Sequence, residues 1–212
     1  MHYWIITGAS RGLGYGFAQN LLENDENYVF GLSRHRPDVW DEFPQEHCMF
    51  MEVDLLDFED MEQKTDTIFA HIANSDAKSI TLINNAGIVG DSGRIGQLKT
   101  STIADTMTLN TAVPIWLTNA FVAHFQSHSV TKRVLFISSG ASHRPMDAYS
   151  VYSASKAGIT HFSANLASEQ QRFEHPIESY AIAPGVVHTR MLKGIYNQNP
   201  EKKELVDRFH EL

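Results

Sequence analysis

The chain has 212 residues, 42% hydrophobic and 20% charged, a balance that supports one folded core and excludes a disordered or fibrous protein. Its formal net charge of -8, with no basic run longer than Lys202-Lys203, excludes a surface built for nucleic acid. The single cysteine, Cys48, excludes an intramolecular disulfide and a cysteine-based metal cluster, and no window approaches the roughly 18 consecutive apolar residues of a membrane span. A soluble, cytoplasmic protein of one domain over residues 1–212 is expected, with Met1–Thr7 read as a core strand rather than a targeting leader.

In chain order, short apolar runs alternate with longer amphipathic segments. Strands are expected at Tyr3–Thr7, Tyr28–Leu32, Met49–Val53, Ile80–Asn84, Arg133–Ser138 and Ile177–Ala181. Helices are expected at Leu13–Glu23, Phe58–Ala73, Thr102–Gln126 and Val151–Phe173. Runs such as Trp4-Ile5-Ile6 and Val134-Leu135-Phe136-Ile137 are apolar throughout, as in strands covered by helices on both faces. The fold class is therefore α/β, a doubly wound parallel sheet of the Rossmann type in the order 3-2-1-4-5-6, with ligands gathered at the carboxyl ends of the strands.

The first strand runs directly into Thr7-Gly8-Ala9-Ser10-Arg11-Gly12-Leu13-Gly14. Glycines at these positions let the backbone turn sharply and approach a phosphate. The helix starting at Gly12 to Leu13 aims its unpaired N–H groups and positive dipole end at the same place. With a strand before it and a helix after it, the segment reads as a dinucleotide cradle rather than a plain turn, with Gly8, Ser10, Arg11, Gly12, Leu13 and Gly14 against the cofactor.

The second strand ends Gly31-Leu32-Ser33-Arg34, with no acid before Asp38, where an NAD-specific fold commonly places one against the ribose 2′-hydroxyl. Arg34 and Arg11 are expected to grip a 2′-phosphate instead, which favours NADP(H); the plainer reading is two solvated surface arginines. Asp54, followed by Leu55, is placed to accept a hydrogen bond from the adenine amino group. A helix cap is its alternative role, for which Asp57 stands better. Asn84-Asn85-Ala86-Gly87 offers small residues to the adenosine half and amides that tie strands together, and a structural role is at least as well supported.

On the helical segment after the fifth strand, Tyr152-Ser153-Ala154-Ser155-Lys156 sets a phenol and an ammonium four residues apart, on one helix face. A neighbouring positive charge favours the phenolate and lowers a tyrosine pKa from about 10, which suits general acid catalysis. Tyr149 competes for the role, but four residues on from it stands Ser153, which carries no charge. Ser138 and Ser139 close the fifth strand, and either hydroxyl is placed to hydrogen-bond a carbonyl oxygen as charge builds on it. Ser139 precedes Tyr152 by thirteen residues.

Taken together, the glycine turn Thr7–Gly14, Asp54, Asn84–Gly87, Asn110, Ser139, Tyr152 and Lys156 resemble the short-chain dehydrogenase/reductase family in order and spacing, across nearly the whole chain. The resemblance implies that Ser139 orients a carbonyl, Tyr152 donates a proton, and Lys156 holds the nicotinamide ribose while lowering the tyrosine pKa. It further implies that Asn110, otherwise readable as a helix-interior amide, holds a water linking Lys156 to solvent. Pro184, Gly185, Val187 and Thr189 match the family's Pro-Gly loop, which implies nicotinamide contacts from the Val187 backbone and the Thr189 hydroxyl. Leu82–Gly87, Lys132–Gly140 and Ala183–Thr189 are most similar to the bacterial benzil reductase and sepiapterin reductase subgroup, which implies NADPH-dependent reduction of ketones and diketones. A homodimer or homotetramer on the two long helices is implied as well.

Family members usually continue past the Pro-Gly loop to a seventh strand, for which the charged, helical-looking Pro200–Leu212 offers no candidate. A C-terminally truncated chain or a six-stranded sheet is expected, with the sixth strand as an exposed edge. His143, Met146 and Met191 are expected to line an apolar pocket for a small hydrophobic carbonyl compound. The eleven histidines show no HExxH or HxxEH spacing, so no metal is expected. Two further readings stand beside carbonyl reduction: NAD-dependent oxidation of an alcohol or hydroxysteroid, and a noncatalytic NADP-binding regulator.

Overall fold

The computed structural model describes residues 1–185. Strands β1 (His2–Thr7), β2 (Asn27–Ser33), β3 (Cys48–Glu52), β4 (Ser79–Asn84), β5 (Thr131–Ile137) and β6 (Ile177–Ile182) alternate with helices α1 (Gly12–Leu21), α2 (Phe58–Ala73), α3 (Thr100–Met107), α4 (Val113–Phe125) and α5 (Ser150–Gln170). The strands form one parallel sheet in the order β3-β2-β1-β4-β5-β6, as the alternation predicts. The order reverses beside β1, so the carboxyl ends of β1 and β4 flank the crevice in which such sheets bind ligands.

Because side chains alternate across a strand, each strand feeds two cores. Ile5, Phe30, Leu82 and Phe136 enter one cluster with Phe69 and Phe121 of α2 and α4, while their neighbours Ile6, Val29, Ile83 and Ile137 enter the other with Ala18 of α1. β4, at the centre, is buried at every position. Among the described residues β6 pairs with β5 alone, and Tyr180 and Ile182 are among the most exposed large apolar side chains.

α2 has the expected bounds, and Asp57 caps it by accepting from the Asp60 N–H at 3.2 Å. The single helix expected at Thr102–Gln126 is instead α3 and α4 joined by a π-helical turn, Thr108–Ala112. The apolar periodicity carries through the junction, so nothing in the pattern marks it. The wide turn brings Asn110 inward, almost wholly buried, and turns of this kind are frequent at functional sites. Among the described residues no helix is long and apolar enough to cross a membrane. Val187, Thr189, Met191 and Pro200–Leu212 lie outside the described residues.

Candidate active site

The glycine turn leaves β1 with Gly8 at φ +69° and Gly12 at +58°, a backbone region that glycine enters without steric cost. A side chain on Gly14 would meet the Gly8 carbonyl oxygen at 2.4 Å, so α1 starts tightly against the turn. Arg11 precedes α1 without a side-chain cap, and the first-turn N–H groups are not taken by a capping side chain. Residues and backbone here fit an anionic diphosphate. Arg11 and Arg34 are both exposed, and Ser10 Oγ lies 3.0 Å from Ser33 Oγ, which joins the turn to the end of β2. Asp54 is exposed, with Oδ1 accepting from the Leu56 N–H at 3.1 Å, while Leu55 beside it is buried.

Asn85 has a structural role. Its Nδ2 donates to the carbonyls of Thr7 at 2.9 Å and Gly8 at 3.3 Å. The Thr7 hydroxyl in turn accepts from the N–H groups of Asn85 and Ala86, both at 3.0 Å. These bonds lock the end of β4 to the start of the cradle. Thr7 belongs to the glycine-turn motif, but nothing local in the sequence shows that its hydroxyl bonds the end of β4.

At the end of β5 the two serines divide. Ser138 is buried and its Oγ sits 2.6 Å from Thr160 Oγ1, turned toward the body of α5. Ser139 extends beyond the strand, where its Oγ accepts from the Ala141 N–H at 3.2 Å, and it is the serine whose polarity acts on Tyr152. Ser138 is thus engaged on the side of α5 away from Tyr152's hydroxyl partner, and Ser139 is the better placed of the two candidates.

Tyr152 and Lys156 lie one turn apart on the buried face of α5, with Nζ 5.9 Å from the phenol centroid. Lys156 Nζ donates to the carbonyl of Ile137, the last residue of β5, at 2.7 Å. Burial lowers the Lys156 pKa to about 8. Burial also raises Tyr152, and the Ser139 hydrogen bond opposes that shift. Burial of the phenol thus acts against the lowering expected from Lys156, because removing the phenolate from water costs more than the Ser139 contact returns.

Asn110 completes the cluster. Nδ2 donates to Ile88 O at 2.7 Å and Ser155 Oγ at 3.0 Å, and Oδ1 accepts from the Ile88 N–H at 2.9 Å. Ser155 in turn donates to the Tyr152 carbonyl at 2.7 Å. Gly87 fits closely here, since a Cβ on it would lie 3.0 Å from Asn110 Oδ1 and 3.5 Å from Lys156 Nζ. Ser155 stands three residues from Tyr152 on the same helix face, and that spacing was the signal available for it. On the substrate side Met146 is half-buried while His143 is exposed.

Comparison with known proteins shows the family. The short chain dehydrogenase family matches residues 3–200, from β1 past the end of β6. The chain belongs to the short-chain dehydrogenase family. Over 212 residues it is 34% identical to the benzil reductase ((S)-benzoin forming) of Bacillus subtilis, covering 100% of this chain and 85% of that protein. It is equally 34% identical to the enzyme of the same name from Bacillus cereus, covering 99% and 85%. A solved short-chain dehydrogenase/reductase from Burkholderia vietnamiensis superposes with a TM-score of 0.78 at 29% identity, covering 91% of this chain and 87% of that one.

As a short-chain dehydrogenase the protein is an oxidoreductase of a family that uses nicotinamide cofactors. Its Ser139, Tyr152 and Lys156 supply a hydrogen-bond donor, a protonated phenol and a buried ammonium at one sheet edge. That set can polarise a carbonyl, protonate its oxygen and hold the phenolate that results.

Proposed function

We propose that this short-chain dehydrogenase is an NADPH-dependent carbonyl reductase acting on a ketone or diketone, its catalytic domain spanning residues 1–212. The observation that carries the reading is the buried Tyr152–Lys156 pair on one face of α5, with Nζ 5.9 Å from the phenol centroid, at the strand end where Ser139 leaves β5. Support for the substrate class comes from the two relatives named for benzil reduction. Support for NADP over NAD comes from the exposed Arg11 and Arg34, which border the cradle where an acid would favour NAD.

Gly8, Ser10, Gly12, Leu13 and Gly14 would hold the diphosphate, Arg11 and Arg34 the 2′-phosphate, Asp54 and Leu55 the adenine, and Asn85 to Gly87 the adenosine side. Pro184, Gly185, Val187 and Thr189 would complete the nicotinamide end. When bound, NADPH supplies a hydride to the carbonyl carbon. Ser139 donates a hydrogen bond to the carbonyl oxygen and Tyr152 gives that oxygen its proton. Its raised pKa keeps Tyr152 protonated at neutral pH, the form reduction requires. The phenolate left behind lies beside the Lys156 ammonium, and Asn110, which bonds Ser155 on the same helix, would hold a water linking Lys156 to solvent. Met146, with His143 and Met191, borders the substrate.

The test follows NADPH oxidation with benzil, other diketones and simple ketones. Benzil-type diketones should be turned over, and Tyr152→Phe should lower the rate by about 100-fold or more, the usual worth of a general acid. Full activity in Tyr152→Phe overturns the assignment. In the same assay Arg34→Ala should weaken NADPH far more than NADH.

A further inference from the structure

Trp40 lies in a short 3-10 turn, Asp38–Glu42, that follows β2, and its side chain is fully buried. Its indole Nε1–H donates to the carbonyl of Ala9, within the glycine turn, at 3.2 Å. The ring occupies the space a side chain on Gly31 would need, since a Cβ there would lie 2.4 Å from Trp40 Cη2. Phe50 of β3 and Phe43 meet the ring edge-on, with centroids at 4.8 and 5.2 Å, and Phe43 stacks on Tyr15 of α1 at 5.8 Å. One side chain thus meets the glycine turn, β2 and β3, and reaches α1 through Phe43. The segment between β2 and Trp40 is pinned from its other side. Arg36 N–H donates to Glu52 Oε1 at 2.8 Å, and its guanidinium pairs with Asp41 at 2.5 Å.

A turn of glycines is the segment most costly to order around a ligand, and fixing it in advance removes that cost from binding. We infer that Trp40 is the positioning residue of the dinucleotide cradle. Through the Ala9 carbonyl and its seat over Gly31, it holds the glycine turn and the Arg34 segment as one preformed unit. The inference rests on the reading of that turn as a cofactor cradle. The sequence offers no sign of it: Trp40 matches no motif and sits on no periodic face.

Calorimetric titration with NADP+ tests this. Trp40→Phe keeps most of the ring and removes the N–H. Its Kd should rise about tenfold, the fold-change of one lost hydrogen bond, while kcat at saturating NADPH stays within about twofold. Amide exchange across Gly8–Gly14 in the free protein should quicken. Gly31→Ala, which displaces the ring, should shift Kd the same way. Phe121→Leu, in the core beneath α4 and remote from the cradle, controls for general destabilisation and should leave Kd unchanged. If wild type binds NADP+ and both cradle variants bind it equally well, or if Phe121→Leu weakens binding as much, the inference is overturned. A wild type that binds no dinucleotide overturns the cradle reading itself, and this inference with it.

Discussion

Lys156 keeps an ammonium inside the protein with a backbone carbonyl as its recorded partner, and burial brings its pKa from 10.5 to about 8. The unfolded chain therefore binds the proton more tightly than the folded one between pH 8 and 10.5, so the burden of the buried charge is full below pH 8 and is lifted as pH rises through that window. Relative to Lys156→Met, wild type should gain stability between pH 8 and 10.5, by an amount on the order of a few kcal/mol. Urea unfolding of both proteins at several pH values checks it; a gap that stays constant, or widens against wild type, contradicts the burial of a charged lysine. Beside it, Tyr152 shows that residue chemistry depends on surroundings: its helical spacing from Lys156 is as expected, yet its pKa moves upward because desolvation dominates.

Ala148, just before α5, is the one non-glycine residue with positive φ among the described residues, at +64°. It is third in the turn that the Tyr149 N–H closes on the Met146 carbonyl at 3.1 Å, a position that favours glycine or asparagine. Its own carbonyl accepts from Gly93 N–H at 2.9 Å, which ties the loop after β4 to the start of α5. Ala148→Gly should remove about 1 kcal/mol of backbone strain and raise the melting temperature by a few degrees. A lower melting temperature would show that the alanine methyl group matters more than the backbone. The strands and α2 were legible because burial on both faces writes itself into apolar runs. The π turn and the Ala148 turn were not, since each is fixed by bonds to residues far away in sequence.

Across the whole molecule, the sheet edge opposite the site is closed by Lys132. Fully buried near the start of β5, its Nζ donates to the carbonyls of Gln126 at 3.1 Å, His175 at 3.0 Å and His128. Three donors meet three acceptors, and the loop after α4 is bound to the loop before β6. Lys132→Met leaves those carbonyls without this donor and should cost about 3 kcal/mol or more, read as a lower urea midpoint. The KM of the folded fraction should stay unchanged, because Ser139 and Tyr152 sit at the other end of the strands; a large change in KM would mean that the two edges are coupled.

The sequence by itself determined the strand order, the glycine turn between β1 and α1, and the placing of Tyr152 and Lys156 one turn apart, because those depend on local periodicity, local backbone freedom and fixed spacing along a helix face. Only the tertiary structure decided which serine faces the tyrosine, that Asn85 and Asn110 tie strands and loops, and that Trp40 and Lys132 are buried polar anchors. The Asn85, Asn110, Trp40 and Lys132 roles are hydrogen bonds across 4 to 78 positions of chain, and such a bond exists only once folding has brought its donor and acceptor together away from water.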